Sequence, residues 1–234
     1  MTRISGDKRL TDGATNDERE KSKMTIYDSL YQFTEYIAPI KLSIHQYLLA
    51  APEPVLIHTG TADQTERIIP QLKEILGSVP PKYILVSHFE SDECGGISIL
   101  KNNFPDVTVV CSEICARQLA GFGYDGNILV KRAGETLEGD GFLFSFVNYP
   151  SEVHLQNGLL FFEEVRKILF SSDLMFRLGD SHGKLIESVW RDEVYSIDMS
   201  RVPNEEKLKS MKNELLKIDP EFIAVGHGPC VRVD

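Results

Sequence analysis

The chain has 234 residues, 26% of them charged and 42% hydrophobic, with a formal net charge of −10. That composition is ordinary for a folded globular protein with one sizeable core. The acidic balance excludes nucleic acid and anionic membrane surfaces, whose phosphates would repel it.

Residues 1–24 are polar and lack periodic apolar positions, so a disordered leader is expected there, with one folded domain over 25–234. The leader has no apolar h-region of a secretory signal. No apolar run approaches the roughly 20 residues that cross a bilayer. Together these point to the cytoplasm. The four cysteines (Cys94, Cys111, Cys115, Cys230) form no CxxC pair, which fits reduced thiols.

Order begins at IYDSLYQFTEYI, and KLSIHQYLL and PVLIHTG read as consecutive strands joined by a turn at AAPEP. TADQTERIIPQLKEIL has helical spacing, with Thr61 or Asp63 as N-cap. KYILVSH is a short apolar run of the buried-strand kind, followed by helix GGISILKNNF, strand VTVVCS and helix SEICARQLAGF. Beyond Gly123 the pattern turns to short alternating strands: NILVKRAG, GETLEGDGFLFSFVNYP, NGLLFFEEV and KILFSSD. NEEKLKSMKNELLKI is helical and EFIAVGHG is a last buried strand. Two βαβ-like halves packed with helices outside, an αββα sandwich in the α/β class, accommodate that order.

Ligands in α/β sheets collect at strand ends. KYILVSH runs into His88-x-Glu90-x-Asp92-Glu93, KILFSSD ends at Asp173, and EFIAVGHG ends at His227 between two glycines. His154 lies just before the NGLLFFEE strand. Singly each is weak, since a lone strand-end histidine is more often a satisfied side chain and an ESDE run is usually a solvated loop. The force lies in four loops that each offer a hard or borderline metal ligand at a comparable place.

That order, His88-x-Glu90-x-Asp92, His154, Asp173 and GHGP around His227, resembles the metallo-β-lactamase fold in its diiron form. The resemblance is to the lactamase-like domain of flavodiiron proteins and related oxygen-binding diiron proteins, over about residues 26–230. It implies His88, Glu90 and His154 on one metal, Asp92 and His227 on the second, and Asp173 bridging. Glu90 stands where hydrolases of the superfamily usually carry histidine, which shifts the expectation from zinc toward two iron ions, with zinc or manganese as the other possible metals. The implied activity is binding or reduction of dioxygen, and of nitric oxide as a further ligand. The alternative is a dinuclear hydrolase of a thioester, lactone or phosphodiester, and the third reading is a non-catalytic metal-binding module.

Three departures bear on function. Glu93 replaces a family histidine: it ligates the second metal through oxygen, swings out to leave an open position, or leaves that site partly filled. Ligation or an open position is favoured, because Asp92, Asp173 and His227 all remain. His58 stands where the superfamily has a supporting aspartate, and plain packing is the favoured reading. No flavodoxin-type phosphate loop is visible, so no FMN is expected within this chain, and electrons would come from an external rubredoxin, flavodoxin or reductase. Without a flavin to share, the family's reason for forming a homodimer weakens. Tyr195 falls loosely near a family tyrosine that hydrogen-bonds a metal-bound ligand, though packing is favoured. His45 and His182 match no ligand position.

Overall fold

The computed structural model describes residues 24–150 and 157–234. The leader expected over 1–24 therefore lies outside the described residues except for Met24, which opens the first strand.

The first sheet has seven strands in chain order. Strands β1 (Met24–Tyr27), β2 (Leu30–Ile37), β3 (Leu42–Leu49) and β4 (Val55–Ile57) run antiparallel. Strands β5 (Tyr83–Leu85), β6 (Thr108–Cys111) and β7 (Asn127–Val130) continue in parallel from β4. Parallel neighbours need crossovers, and helices supply them: α1 (Ala62–Leu76), the one-turn α2 (Ser91–Cys94) with α3 (Ile97–Asn103), and α4 (Glu113–Gly121). The N-cap of helix α1 is Thr61 rather than Asp63. The Thr61 hydroxyl accepts from the Gln64 amide, and the Gln64 carboxamide oxygen accepts from the Thr61 amide at 2.9 Å, a reciprocal cap.

The second sheet contains β8 (Thr136–Gly139), β9 (Phe142–Pro150), β10 (Asn157–Glu163), β11 (Ile168–Ser172), β12 (Leu185–Ser188), β13 (Phe222–Val225) and β14 (Cys230–Val233). Their order in space is β12-β14-β13-β11-β10-β9-β8. Helices α5 (Trp190–Ser196) and α6 (Glu205–Leu215) cover its outer face. Three of these elements are absent from the sequence reading: β12, α5 and β14. Each is short, and CVRV follows the GHGP loop so closely that EFIAVGHG reads as the end of the chain's strands.

Alternation explains why so many strands look continuously apolar. Val55 and Ile57 face the space between the sheets with Phe161 and Phe170, while Leu56 faces α1 with Ile68 and Leu72. In the second sheet, Leu159 and Phe161 point inward, whereas Leu160 and Phe162 meet Trp190, Val194 and Leu215. The central strands β4, β11 and β13 are buried on both faces, so period-two polarity is lost there, whereas β9 keeps an alternating pattern. The αββα sandwich expected from the sequence is the observed one.

Candidate metal centre

The candidate ligands emerge where buried strands of both sheets end at the same edge of the sandwich. Val86 prolongs β5 by donating to the Val110 carbonyl, and the chain then delivers Ser87 and His88. The acidic run that follows is not a plain loop. It is helix α2, whose first turn carries Asp92 and Glu93. The carbonyls of these two residues accept from the Gly60 and Thr59 amides at 3.0 and 2.9 Å, so the HTG turn after β4 holds the acidic turn in place. Asp173 starts a 3-10 turn directly after β11, and His227 follows β13.

Two residues before these turns hold positive φ without being glycine: His58 at 61° and Ser172 at 47°. Such backbone is costly for a side chain with a Cβ and persists only where the surroundings over-determine it. Here the conformation turns each strand end sharply into the cluster.

The structure brings six of the predicted residues together. His88 Nε2 lies 3.6 Å from Glu90 Oε1, 3.9 Å from Glu93 Oε2 and 3.4 Å from Asp173 Oδ2. His227 Nε2 lies 3.3 Å from Asp92 Oδ2 and 3.2 Å from Asp173 Oδ1. Asp173 thus presents one oxygen to each histidine. Two atoms bound to one ion at about 2.1 Å can stand no more than about 4.2 Å apart, and every one of these pairs is within that span. His154 lies outside the described residues. Tyr195 is 55% exposed on α5, with the Arg191 guanidinium 5.9 Å over its ring, and makes no contact with the cluster among the described residues.

Both histidines are oriented from behind. His227 Nδ1 donates to the Ser43 carbonyl at 2.9 Å, leaving Nε2 to face the cluster. His88 Nδ1 meets the Ser87 hydroxyl at 3.0 Å, and its ring packs edge-on to Tyr149. Phe176 leans on the His227 ring at 5.1 Å and is covered in turn by Arg201.

Burial and crowding set the charges. Burial alone would depress the His88 imidazole, but Asp173 and Glu90 beside it outweigh that and hold it well above the usual histidine range. His227 is likewise raised to about 10 against its burial, by Asp173 and Asp92. Asp173 resists the upward push of burial because His227 and His88 flank it, and it sits far below the ordinary carboxylate value. Glu93 goes the other way: burial first, then the Asp173 charge, push it well up. Asp173 Oδ1 and Glu93 Oε2 are both fully buried without a hydrogen-bond partner of good geometry. Buried acceptors left bare beside further carboxylates are what a site built for cations looks like, and the nitrogen and oxygen donors suit iron, zinc or manganese.

The supporting shell is the part that sequence reasoning undervalued. His58 does more than pack: its Nε2 is 2.9 Å from Ser87 Oγ, which also meets Ser172 Oγ at 2.8 Å behind His88. A histidine thus takes the supporting place through a serine bridge. His45 braces the GHGP turn, with Nε2 donating to the Gly228 carbonyl at 2.8 Å and Nδ1 facing Thr34 Oγ1 at 2.8 Å. Hydroxyls beside strand-end ligands, VSH and FSSD, were the available signal. The cysteines are buried free thiols, and burial together with the neighbouring Glu93 pushes Cys94 up to about 12.

Residues 42–228 match the sequence profile of ODP family beta lactamases. Among curated relatives, the anaerobic nitric oxide reductase flavorubredoxin of Salmonella typhi is 27% identical over 143 residues, covering 60% of this chain and 30% of that protein. Among solved structures, the flavodiiron protein from Giardia intestinalis superposes with a TM-score of 0.70 at 17% identity, covering 91% of this chain and 56% of that one. A metallo-beta-lactamase from Pontibacter korlensis gives 0.67 at 20% identity, covering 90% and 92%. The chain spans about a third of the length of the curated relatives it matches. No helix among the described residues is long and apolar enough to cross a membrane.

Proposed function

The chain belongs to the ODP family of beta lactamases, and on that premise we propose that it is a non-haem diiron protein that binds or reduces dioxygen or nitric oxide. His88, Glu90 and His154 serve one ion in this reading, Asp92 and His227 the other, with Asp173 spanning both and Glu93 completing the set. The observation that carries it is Asp173, whose two oxygens stand 3.4 and 3.2 Å from the Nε2 atoms of different histidines. A carboxylate so placed holds two like-charged ions close enough for one small ligand to touch both. Two ferrous ions there would supply an electron each to a bound diatomic molecule.

The chain's own residues do the rest. Ser43 and Ser87 fix the imidazole faces, and the carboxylates offset the cationic charge. Relatives that are flavorubredoxins and flavodiiron proteins by name support the choice of ligand. Electrons are assigned to an external donor protein, a rubredoxin, flavodoxin or reductase. The second reading, a dinuclear hydrolase, is kept by the structural match to a metallo-beta-lactamase of matching length.

Anaerobic purification with quantification of iron and zinc, followed by visible spectra before and after oxygen or nitric oxide, separates the two. About two irons per chain and a gas-dependent absorption change support the first reading. Zinc alone with ester, lactone or phosphodiester turnover replaces it by the second.

A further inference from the structure

We propose that Glu93 is a second bridging carboxylate, shared between both ions beside Asp173. The inference rests on the two-ion reading above and adds a role that the pattern of ligand types does not supply.

Among the described residues, two groupings of ligand atoms lie close enough together for a small inward shift to seat an ion. One joins His88, Glu90 and Glu93; the other joins Asp92, Glu93 and His227, with atoms in each group within 4.8 Å of one another. Glu93 is the member common to both. A histidine at this position could not be shared in that way, because an imidazole offers its free nitrogen lone pair to one ion. A carboxylate has an oxygen for each.

An independent observation points the same way. Glu93 is 1% exposed, yet its Oε2 has no hydrogen-bond partner and lies 3.9 Å from His88 Nε2, too far for a hydrogen bond. A buried carboxylate oxygen with no donor is a costly arrangement unless a cation takes its place. Its backbone is also held rigidly: the Glu93 carbonyl accepts from Thr59 and the Asp92 carbonyl from Gly60, so the turn presents Glu93 to the cluster and not to solvent. Loaded with two divalent ions, the centre would set four carboxylates, Glu90, Asp92, Glu93 and Asp173, against four positive charges. Such a centre favours hard, oxygen-seeking ions over zinc.

The test is titration of chelator-treated protein with Mn2+, counting free ion by its electron paramagnetic resonance signal. Glu93→Gln keeps the side-chain volume, and Asp92→Asn serves as the one-ion comparator. Wild type is expected to take up two ions. Glu93→Gln should weaken both by about tenfold or more, Asp92→Asn chiefly one. Glu93→His should restore one ion to within about threefold of wild type and leave the other weak, because an imidazole has a single free lone pair to give. Two ions in wild type with only one weakened by Glu93→Gln overturns the bridge and leaves the two-ion reading standing. Uptake of a single ion by wild type overturns both.

Discussion

His45 offers a quantitative test of how the fold supports the GHGP turn. The side chain is 1% exposed and sits between Thr34 and the carbonyl of Gly228, the residue next to the candidate ligand His227. Burial, partly offset by the Gly228 carbonyl, lowers its imidazole from 6.5 to about 4. The folded protein therefore holds His45 neutral where the unfolded chain would protonate it. A histidine depressed in this way contributes stability that is fully present above pH 6.5 and lost as pH falls toward 4. At about 1.4 kcal/mol per pH unit, the cost is about 1.4 kcal/mol at pH 5.5 and about 2.5 kcal/mol at pH 4.5. His45→Gln retains a donor for the Gly228 carbonyl but cannot titrate. Urea unfolding of metal-free wild type and variant at pH 7.5, 5.5 and 4.5 measures the difference, in which the titration of groups remote from His45 cancels. The stability gap between the two proteins should narrow or reverse by about 2.5 kcal/mol from pH 7.5 to 4.5. Parallel loss of stability in both would refute the assignment of a buried neutral imidazole at this position.

Three further outcomes are expected. Ser87→Ala removes the hydroxyl between His58, Ser172 and His88, and metal affinity by chelator competition should fall about 10–100-fold; unchanged affinity would show that the serine bridge only packs. Gly158→Ala places a Cβ 2.7 Å from the Ser87 carbonyl oxygen and 3.3 Å from His88 Cβ, so thermal unfolding should show a loss of about 1–3 kcal/mol together with reduced metal content. Arg177→Ala leaves the buried Glu193 carboxylate without the guanidinium that donates to both its oxygens at 2.9 and 2.7 Å. Because that arginine is 31% exposed, the expected loss is moderated to about 2–4 kcal/mol by denaturant unfolding, and Glu193→Gln should cost less.

The sequence by itself determined the layered architecture and the chemical character of the candidate centre. Buried strands announce themselves through runs such as KYILVSH and EFIAVGHG, since burial on both faces removes every polar position until the strand ends. The polar residue at that end is then conspicuous, which is why His88, Asp173 and His227 were legible; Glu90 tilted the reading toward iron only through the family resemblance. Short elements at the chain's end, CVRV above all, carried too few residues for their periodicity to register.

Only the tertiary structure decided which of these side chains meet, and on what terms. Asp173 reaches His88 and His227 because β11 pairs in parallel with β13 in one sheet while β5 ends opposite them in the other. Nothing local in the chain encodes that distance. The same holds for His58, whose hydrogen bond to Ser87 depends on β4 lying beside β5, and for His45, which contacts Gly228 across a separation of 183 residues. Glu93 shows the limit most clearly. Its identity is plain in the sequence, but whether it faces solvent, one ligand group or two depends on how the Thr59 and Gly60 amides grip the turn that carries it, and the fold turns it inward between both.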